Sequence, residues 1–183
     1  MKRILVTGAN KGIGLAIVTQ ILESHEDTTV LLGARDEMRG AQAVNALTTN
    51  HPHLKDRVEM LKLDVADDDS VAKAAWQVAE KFGASPHPLY GIVNNAGIAH
   101  VGTVEDTSEE DFDRVQRVNV KGTFNCLRGL VPRMVENGGG AILNLASIAS
   151  RLGISERFAY SVSKGAVFAM TLSVAKDYVD KGI

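Results

Sequence analysis

The run Ile4-Leu5-Val6-Thr7-Gly8-Ala9-Asn10-Lys11-Gly12-Ile13-Gly14 decides how this chain is read. Its short apolar stretch stops at Gly8, the signature of a buried strand. From Ile13 onward, apolar residues recur at Ala16, Ile17, Ile21 and Leu22, close to helical spacing. Three glycines therefore stand where a strand turns into a helix. Glycine permits the tight bend and lets the backbone approach a pyrophosphate. The helix start supplies free N–H groups and the positive end of a dipole. Glycines alone would also fit an ordinary turn; the strand before and the helix after supply the context a dinucleotide site needs.

Working outward, the alternation continues. A second strand is expected over 29–32, a helix over about 37–48 and a third strand over 58–63. Asp67 or Asp68 caps a helix carrying Val71, Ala74, Ala75, Val78 and Ala79, and Gly83 with Pro86 and Pro88 ends it. A fourth strand follows over 89–93. A long helix spans roughly 108–135, with Ser108 as its cap and Glu109, Glu110 and Asp111 in its first turn. Gly138-Gly139-Gly140 breaks it before a fifth strand over 141–145. The last helix runs from about 158 to 179, with Gly182 placed as a C-terminal cap. Five strands alternating with five helices predict a single α/β domain over 1–183. The expected architecture is a doubly wound, Rossmann-type parallel sheet in the order 3-2-1-4-5, with ligands at the carboxyl ends of the strands.

Composition narrows the partners. With 20 basic and 22 acidic residues the net charge is -2, which leaves no basic stripe for nucleic acid. The single Cys126 excludes a disulfide within the chain. The five histidines form no helical pair of ligand spacing, so no metal site is expected. The opening apolar run leads into a glycine turn, not a cleavage site. No unbroken apolar stretch approaches a membrane span, and a cytoplasmic protein is expected.

Beyond the glycines, Gly33-Ala34-Arg35-Asp36 closes the second strand, where such folds distinguish NAD from NADP. An acid there binds ribose hydroxyls; a base accepts a 2′-phosphate. Arg35 offers forked donors suited to phosphate, and Lys11 in the glycine loop could reach the same group. The other reading makes both cations solvated and Asp36 the ribose ligand. Asn94-Asn95-Ala96-Gly97 sits at the end of the fourth strand, again at the ligand edge, although its residues also suit a plain turn. Tyr160 and Lys164 are four apart on one helix, so they share a face. A phenol is a weak acid, near 10, and an adjacent ammonium favours the phenolate. Such a pair can give a proton to a carbonyl oxygen or take one back. Ser147, just past the fifth strand, can donate a hydrogen bond to the same oxygen.

These motifs resemble those of the classical short-chain dehydrogenases/reductases along the whole chain. The family pattern T-G-x-x-x-G-x-G appears as Thr7 to Gly14, N-N-A-G as Asn94 to Gly97, and Y-x-x-x-K as Tyr160 to Lys164. The family's active-site asparagine matches Asn119 and its serine Ser147. The glycine segment with Gly33 to Asp36 is most similar to NADPH-dependent carbonyl reductases. The resemblance implies hydride transfer between NADPH and a small-molecule carbonyl or alcohol, with Asn119, Ser147, Tyr160 and Lys164 catalytic. It implies cofactor contacts from Thr7, Gly8, Asn10, Lys11, Gly12, Ile13, Gly14 and Arg35, and from Asp64 and Val65 near the adenine. Asn94, Ala96, Gly97, Tyr160 and Lys164 complete that set. Lys164 would also hold the nicotinamide ribose, and Asn119 would position a relay water. It also implies a homodimer through the helices near 108–135 and 158–180.

Family members continue beyond Lys181-Gly182-Ile183, through a segment that supports the nicotinamide and a substrate lid. The resemblance therefore implies a truncated form that keeps the adenosine half, works weakly and pairs through its uncharged fifth strand. Other readings are a 3-oxoacyl-carrier reductase, a catalytically weak fragment, or a nucleotide-binding regulatory protein. The intact Ser147, Tyr160 and Lys164 set argues against the last, since a sensor needs no acid.

Overall fold

The computed structural model describes residues 1–83 and 88–183. Pro86, expected to help end the third helix, lies outside them. Five parallel strands form one sheet: β1 (Lys2–Val6), β2 (Thr28–Ala34), β3 (Val58–Lys62), β4 (Gly91–Asn94) and β5 (Ala141–Asn144). Their order is β3-β2-β1-β4-β5, so the winding reverses between β1 and β4. The helices are α1 (Gly12–Ser24), α2 (Glu37–Asn50), α3 (Asp68–Phe82), α4 (Glu109–Gln116), α5 (Gly122–Glu136) and α6 (Phe158–Tyr178).

The strand period of two builds a core on each face. Leu5, Leu31, Leu61 and Ile92 point to one side, where α3 and α5 bring Val71, Ala74, Val78, Cys126, Leu130 and Met134. Val6, Val30, Leu32 and Val93 point to the other and meet Val18 and Leu22 of α1 and Ala43 and Leu47 of α2. Each Val, Leu, Ile or Met among them contributes about 1.5–3 kcal/mol on burial. The two cores hold the strand ends level, and the loops that leave them converge above β1 and β4.

The helix starts follow the cap rules. Asp36 accepts from the Arg39 N–H at 3.0 Å, Asp67 from Asp69 at 3.0 Å and Ser108 from Asp111 at 3.1 Å. Of the two candidates for α3, Asp67 is thus the cap. Asp68 instead binds Arg128 of α5, and that bond lowers its carboxyl pKa. Gly182 takes the left-handed φ of 79° expected of a helix stop, and its carbonyl accepts from Gly140 N–H at 2.8 Å.

Two differences matter. The helix expected over 108–135 is interrupted by a π turn, Arg117–Lys121, so α4 and α5 are separate α-helical pieces. Asn119 sits in the middle of this turn, and its side chain satisfies the backbone groups of Ile98 outside the helix. Second, by length and composition the 24 residues Phe158–Lys181 would suit a membrane span, although no unbroken apolar run marks them. In the fold, Ala159, Ser163, Lys164 and Val167 of this helix are buried.

Candidate active site

The glycine loop is stitched to the loop after β4. Thr7 is 1% exposed; its Oγ1 accepts from the Asn95 and Ala96 N–H groups at 3.1 and 3.0 Å. Asn95 Nδ2 donates back to the Thr7 and Gly8 carbonyls at 2.8 and 3.2 Å. The approach is too close for a side chain. A Cβ on Gly14 would lie 2.5 Å from Asn95 Nδ2 and 2.6 Å from the Gly8 carbonyl oxygen. Above this floor α1 begins. Its cap residue Lys11 makes no side-chain cap bond and its first turn holds no acid, so its N–H groups face outward unneutralised.

A cleft of about 570 Å³ opens at this edge of the sheet. Gly8, Asn10, Lys11, Gly12, Ile13 and Gly14 form one wall, with Arg35 after β2 and Asp64 after β3. Ala96 and Gly97 lie on its floor, and Tyr160 and Lys164 of α6 close the far side. Asp36 is engaged elsewhere: it caps α2 and pairs with Arg39 at 3.5 Å. Arg35 is left as the exposed charged side chain at the end of β2 that faces the cleft.

Lys164 is 6% exposed and donates to the Leu145 carbonyl at 2.5 Å. Burial pushes its ammonium pKa down. Its Nζ lies 5.8 Å from the Tyr160 ring centroid, one helical turn away. Ser147, two residues past Leu145, heads a short 3-10 turn and accepts from the Ala149 N–H at 3.2 Å. Asn119 is 1% exposed. Its Oδ1 accepts from Ile98 N–H at 2.8 Å, and its Nδ2 donates to the Ile98 carbonyl at 2.8 Å and to Ser163 Oγ at 2.9 Å. Ser163 passes the link on by donating to the Tyr160 carbonyl at 2.7 Å.

Twelve of the residues expected at the site line the cleft; Thr7, Val65, Asn94, Asn119 and Ser147 are not among its lining. Thr7 and Asn119 brace loops from below. Asn94 donates to Asn144 Oδ1 at 2.7 Å, tying β4 to β5. Val65 is buried, and its carbonyl accepts from Asn125 at 3.0 Å. Conversely, Asn95, Ile98, Ala99, Val118, Leu145 and Ala146 line the cleft without having been expected there. Asn95 lay inside a recognised motif. The others are apolar, and in sequence nothing separates them from core residues.

A doubly wound sheet, a glycine loop at its reversal point and a lysine one turn from a tyrosine define a dinucleotide-dependent oxidoreductase scaffold. The sequence matches the short chain dehydrogenase family over residues 2–183, and the chain belongs to that family. It is 39% identical over 183 residues to 2-(R)-hydroxypropyl-CoM dehydrogenase of Xanthobacter autotrophicus, covering 98% of this chain and 69% of that one. Among solved structures it is similar to ElxO with NADP bound, at 30% identity and a TM-score of 0.89, covering 100% of this chain and 70% of that one. It is also similar to 3-ketoacyl-(acyl-carrier-protein) reductase of Brucella melitensis complexed with NADH. There the identity is 27% and the TM-score 0.87, over 100% of this chain and 71% of that one.

Proposed function

We propose that this chain moves a hydride between NADPH and a carbonyl or alcohol, with Tyr160 as the general acid or base. The observation that carries the reading is the pair of Tyr160 and a buried Lys164 across one cleft from a glycine loop that has no room for a side chain at Gly8 or Gly14. The cleft fits a dinucleotide by its own features: the close approach at Gly14, the uncapped start of α1, and Arg35. Gly8, Gly12 and Gly14 would admit the pyrophosphate, and Asp64, with Val65 beneath it, the adenine. Lys11 and Arg35 would pair with a 2′-phosphate, while Asp36 is committed to α2. When bound, the nicotinamide supplies or accepts the hydride.

The protein's share is the proton. Tyr160 donates it to the carbonyl oxygen in reduction and takes it back in oxidation. Lys164, one helical turn from Tyr160, brings its ammonium to the same cleft and is positioned by the Leu145 carbonyl. Ser147 offers its hydroxyl proton to the same oxygen, since in its 3-10 turn the hydroxyl only accepts, from the Ala149 N–H. Asn119 serves through position: its amide is spent on Ile98 and Ser163, and its backbone carbonyl already accepts from Thr123 at 2.8 Å. A relay water at Asn119 would use that carbonyl's second lone pair. Carrier-bound 3-oxoacyl groups are an alternative substrate for the same chemistry, and a soluble cytoplasmic setting belongs to this reading.

Tyr160→Phe tests it. Turnover should fall by about 100-fold or more, the worth of a positioned acid. NADPH affinity should stay within about twofold, since only the transferable proton is lost. Near-normal turnover in this variant would remove Tyr160 from the mechanism.

A further inference from the structure

We propose that Asn125 is a positioning residue for the adenine half of the cofactor: from α5 it holds the turn after β3 in the orientation that presents Asp64 to the cleft. The proposal rests on the dinucleotide reading above. Asn125 is 1% exposed and is not among the residues that line the cleft, so it acts through another residue. Its Nδ2 donates to the Val65 carbonyl at 3.0 Å. Its Oδ1 is buried and has no hydrogen-bond partner among the described residues.

An amide with one half paired and the other orphaned adds little net stability, because the unmade bond offsets the made one. What the paired half does is fix a direction. No backbone N–H among the described residues bonds the Val65 carbonyl, so Asn125 Nδ2 sets where it points. The Val65 side chain is seated on the same face of the helix. A Cβ on Gly122, three residues before Asn125, would lie 2.7 Å from Val65 Cγ2, so glycine leaves the notch that Val65 fills. Carbonyl and side chain together give Val65 two fixed points on α5.

The rest of the turn is closed on itself and on the start of α3. Asp64 N–H donates to Ser70 Oγ at 2.9 Å, Ala66 N–H to Asp64 Oδ1 at 3.0 Å and Asp67 N–H to the Asp64 carbonyl at 3.2 Å. These bonds give the turn its shape but not its place against α5. Val65 supplies the place, and Asp64, its neighbour in the chain, lines the cleft. The Tyr160 side of the cleft is tied by a different amide: Asn119, in the π turn before α5, bonds Ile98 and Ser163. Losing the Asn125 amide therefore loosens the adenine half and spares Tyr160.

The test is Asn125→Leu, which trades the amide for a hydrocarbon of like branching and leaves the Val65 carbonyl unbound. Asn125→Ala removes the same donor with less bulk and carries the test if leucine impairs folding. Calorimetric titrations with 2′,5′-ADP, the adenosine half alone, and with NADPH are run at a temperature where every protein is folded. Both ligands should bind about three- to tenfold more weakly, the contribution of one buried hydrogen bond, with kcat at saturating NADPH within about twofold of the parent. In hydrogen exchange the Asp64, Ala66 and Asp67 amides should lose protection while the Ile98 amide keeps it. Variants that melt earlier yet bind 2′,5′-ADP like the parent would make Asn125 merely structural and overturn the inference. So would weaker binding with the turn's amides still protected, a kcat that falls while affinity holds, or a parent that binds neither ligand. Tight 2′,5′-ADP binding by a parent that turns over no carbonyl, with the variants weakened as expected, would defeat the hydride-transfer reading and leave the role of Asn125 standing.

Discussion

In the proposed reading single side chains carry both cofactor choice and proton chemistry, and each can be tested alone. Arg35 is exposed at the cleft edge, so Arg35→Ala should spare the fold. NADPH affinity should drop about tenfold or more, the worth of a charge-assisted contact, while NADH affinity stays level. Equal losses for both cofactors would place the 2′-phosphate elsewhere. Two glycines in one loop should behave differently. Gly12 is left-handed at φ 57°, and a Cβ there would meet nothing within 4 Å, so Gly12→Ala should cost only backbone strain, about 1–2 kcal/mol. Gly14→Ala drives a methyl into Asn95 and the Gly8 carbonyl. It should abolish cofactor binding and separate the two loops, seen as lost protection of the Asn95 and Ala96 amides in hydrogen exchange. Lys164 adds a pH signature. Burial holds its pKa below the ordinary 10.5, so as pH rises the folded chain releases this proton before the unfolded chain does. From that lowered value up to about 10.5 the unfolded state holds more protons, and stability contributed at this site increases with pH. Urea titrations should therefore show parent stability rising relative to Lys164→Met across that window; a constant difference would mean the ammonium is not desolvated.

At the scale of elements, the π turn is the feature that sequence periodicity conceals. The spacing of Val115, Val118 and Leu127 is compatible with one long helix, and Asn119 within it looks like an ordinary polar residue. Its meaning depends on Ile98, 21 residues away, and Ser163, 44 residues away. Asn119→Ala strands the Ile98 N–H and carbonyl at about 1–3 kcal/mol for each group left unpaired. At roughly 2–4 °C per kcal/mol, thermal melting should fall by several degrees, and turnover should fall with it as α6 loses its tie. NADPH affinity should suffer less, because the glycine loop is braced separately through Thr7 and Asn95. The strands and most helices were legible because burial on both sheet faces leaves apolar runs, and because the Asp67–Asp68 pair and Ser108 announce their helices locally. The placement of the glycine loop and of Tyr160 and Lys164 around one cleft was legible because each motif is defined by near neighbours in sequence. The lining by Ile98, Val118 and Leu145 was not, since an aliphatic side chain reads alike in a core and in a cleft. Nor was the commitment of Asp36 to α2, which required a side-chain geometry.

At the scale of the molecule, the exposed faces of α5 and α6 are where association is expected. The helices from α4 to α6 carry eight apolar residues that pairing across a two-fold axis would call on, and the monomer already accounts for several. Val115 and Leu127 are buried at 0% and 6% exposure. Val118 faces the cleft, Phe112 packs on Phe158 at 6.2 Å between centroids, and Phe168 lies under Arg151. What remains is a groove of about 330 Å³ between α5 and α6, with Phe124, Met170 and Val174 along it and Tyr178 at its end. Phe124 is 40% exposed, and the cations of Lys121 and Arg128 lie 4.8 and 5.2 Å from its ring, which holds the ring in place at the rim. A rigid aromatic beside an apolar groove is the composition of an interface hot spot. A two-fold pairing would set the groove of each copy, with its Phe124, against that of the other. We therefore expect a homodimer at micromolar concentration, burying on the order of 800 Å² per partner. Phe124→Glu should convert it to a monomer without lowering monomer stability, because the ring is not part of either core. Light scattering of the cofactor-bound parent and of this variant decides the matter: a monomeric parent, or a variant that dimerises as before, would show that the groove serves something other than a second copy.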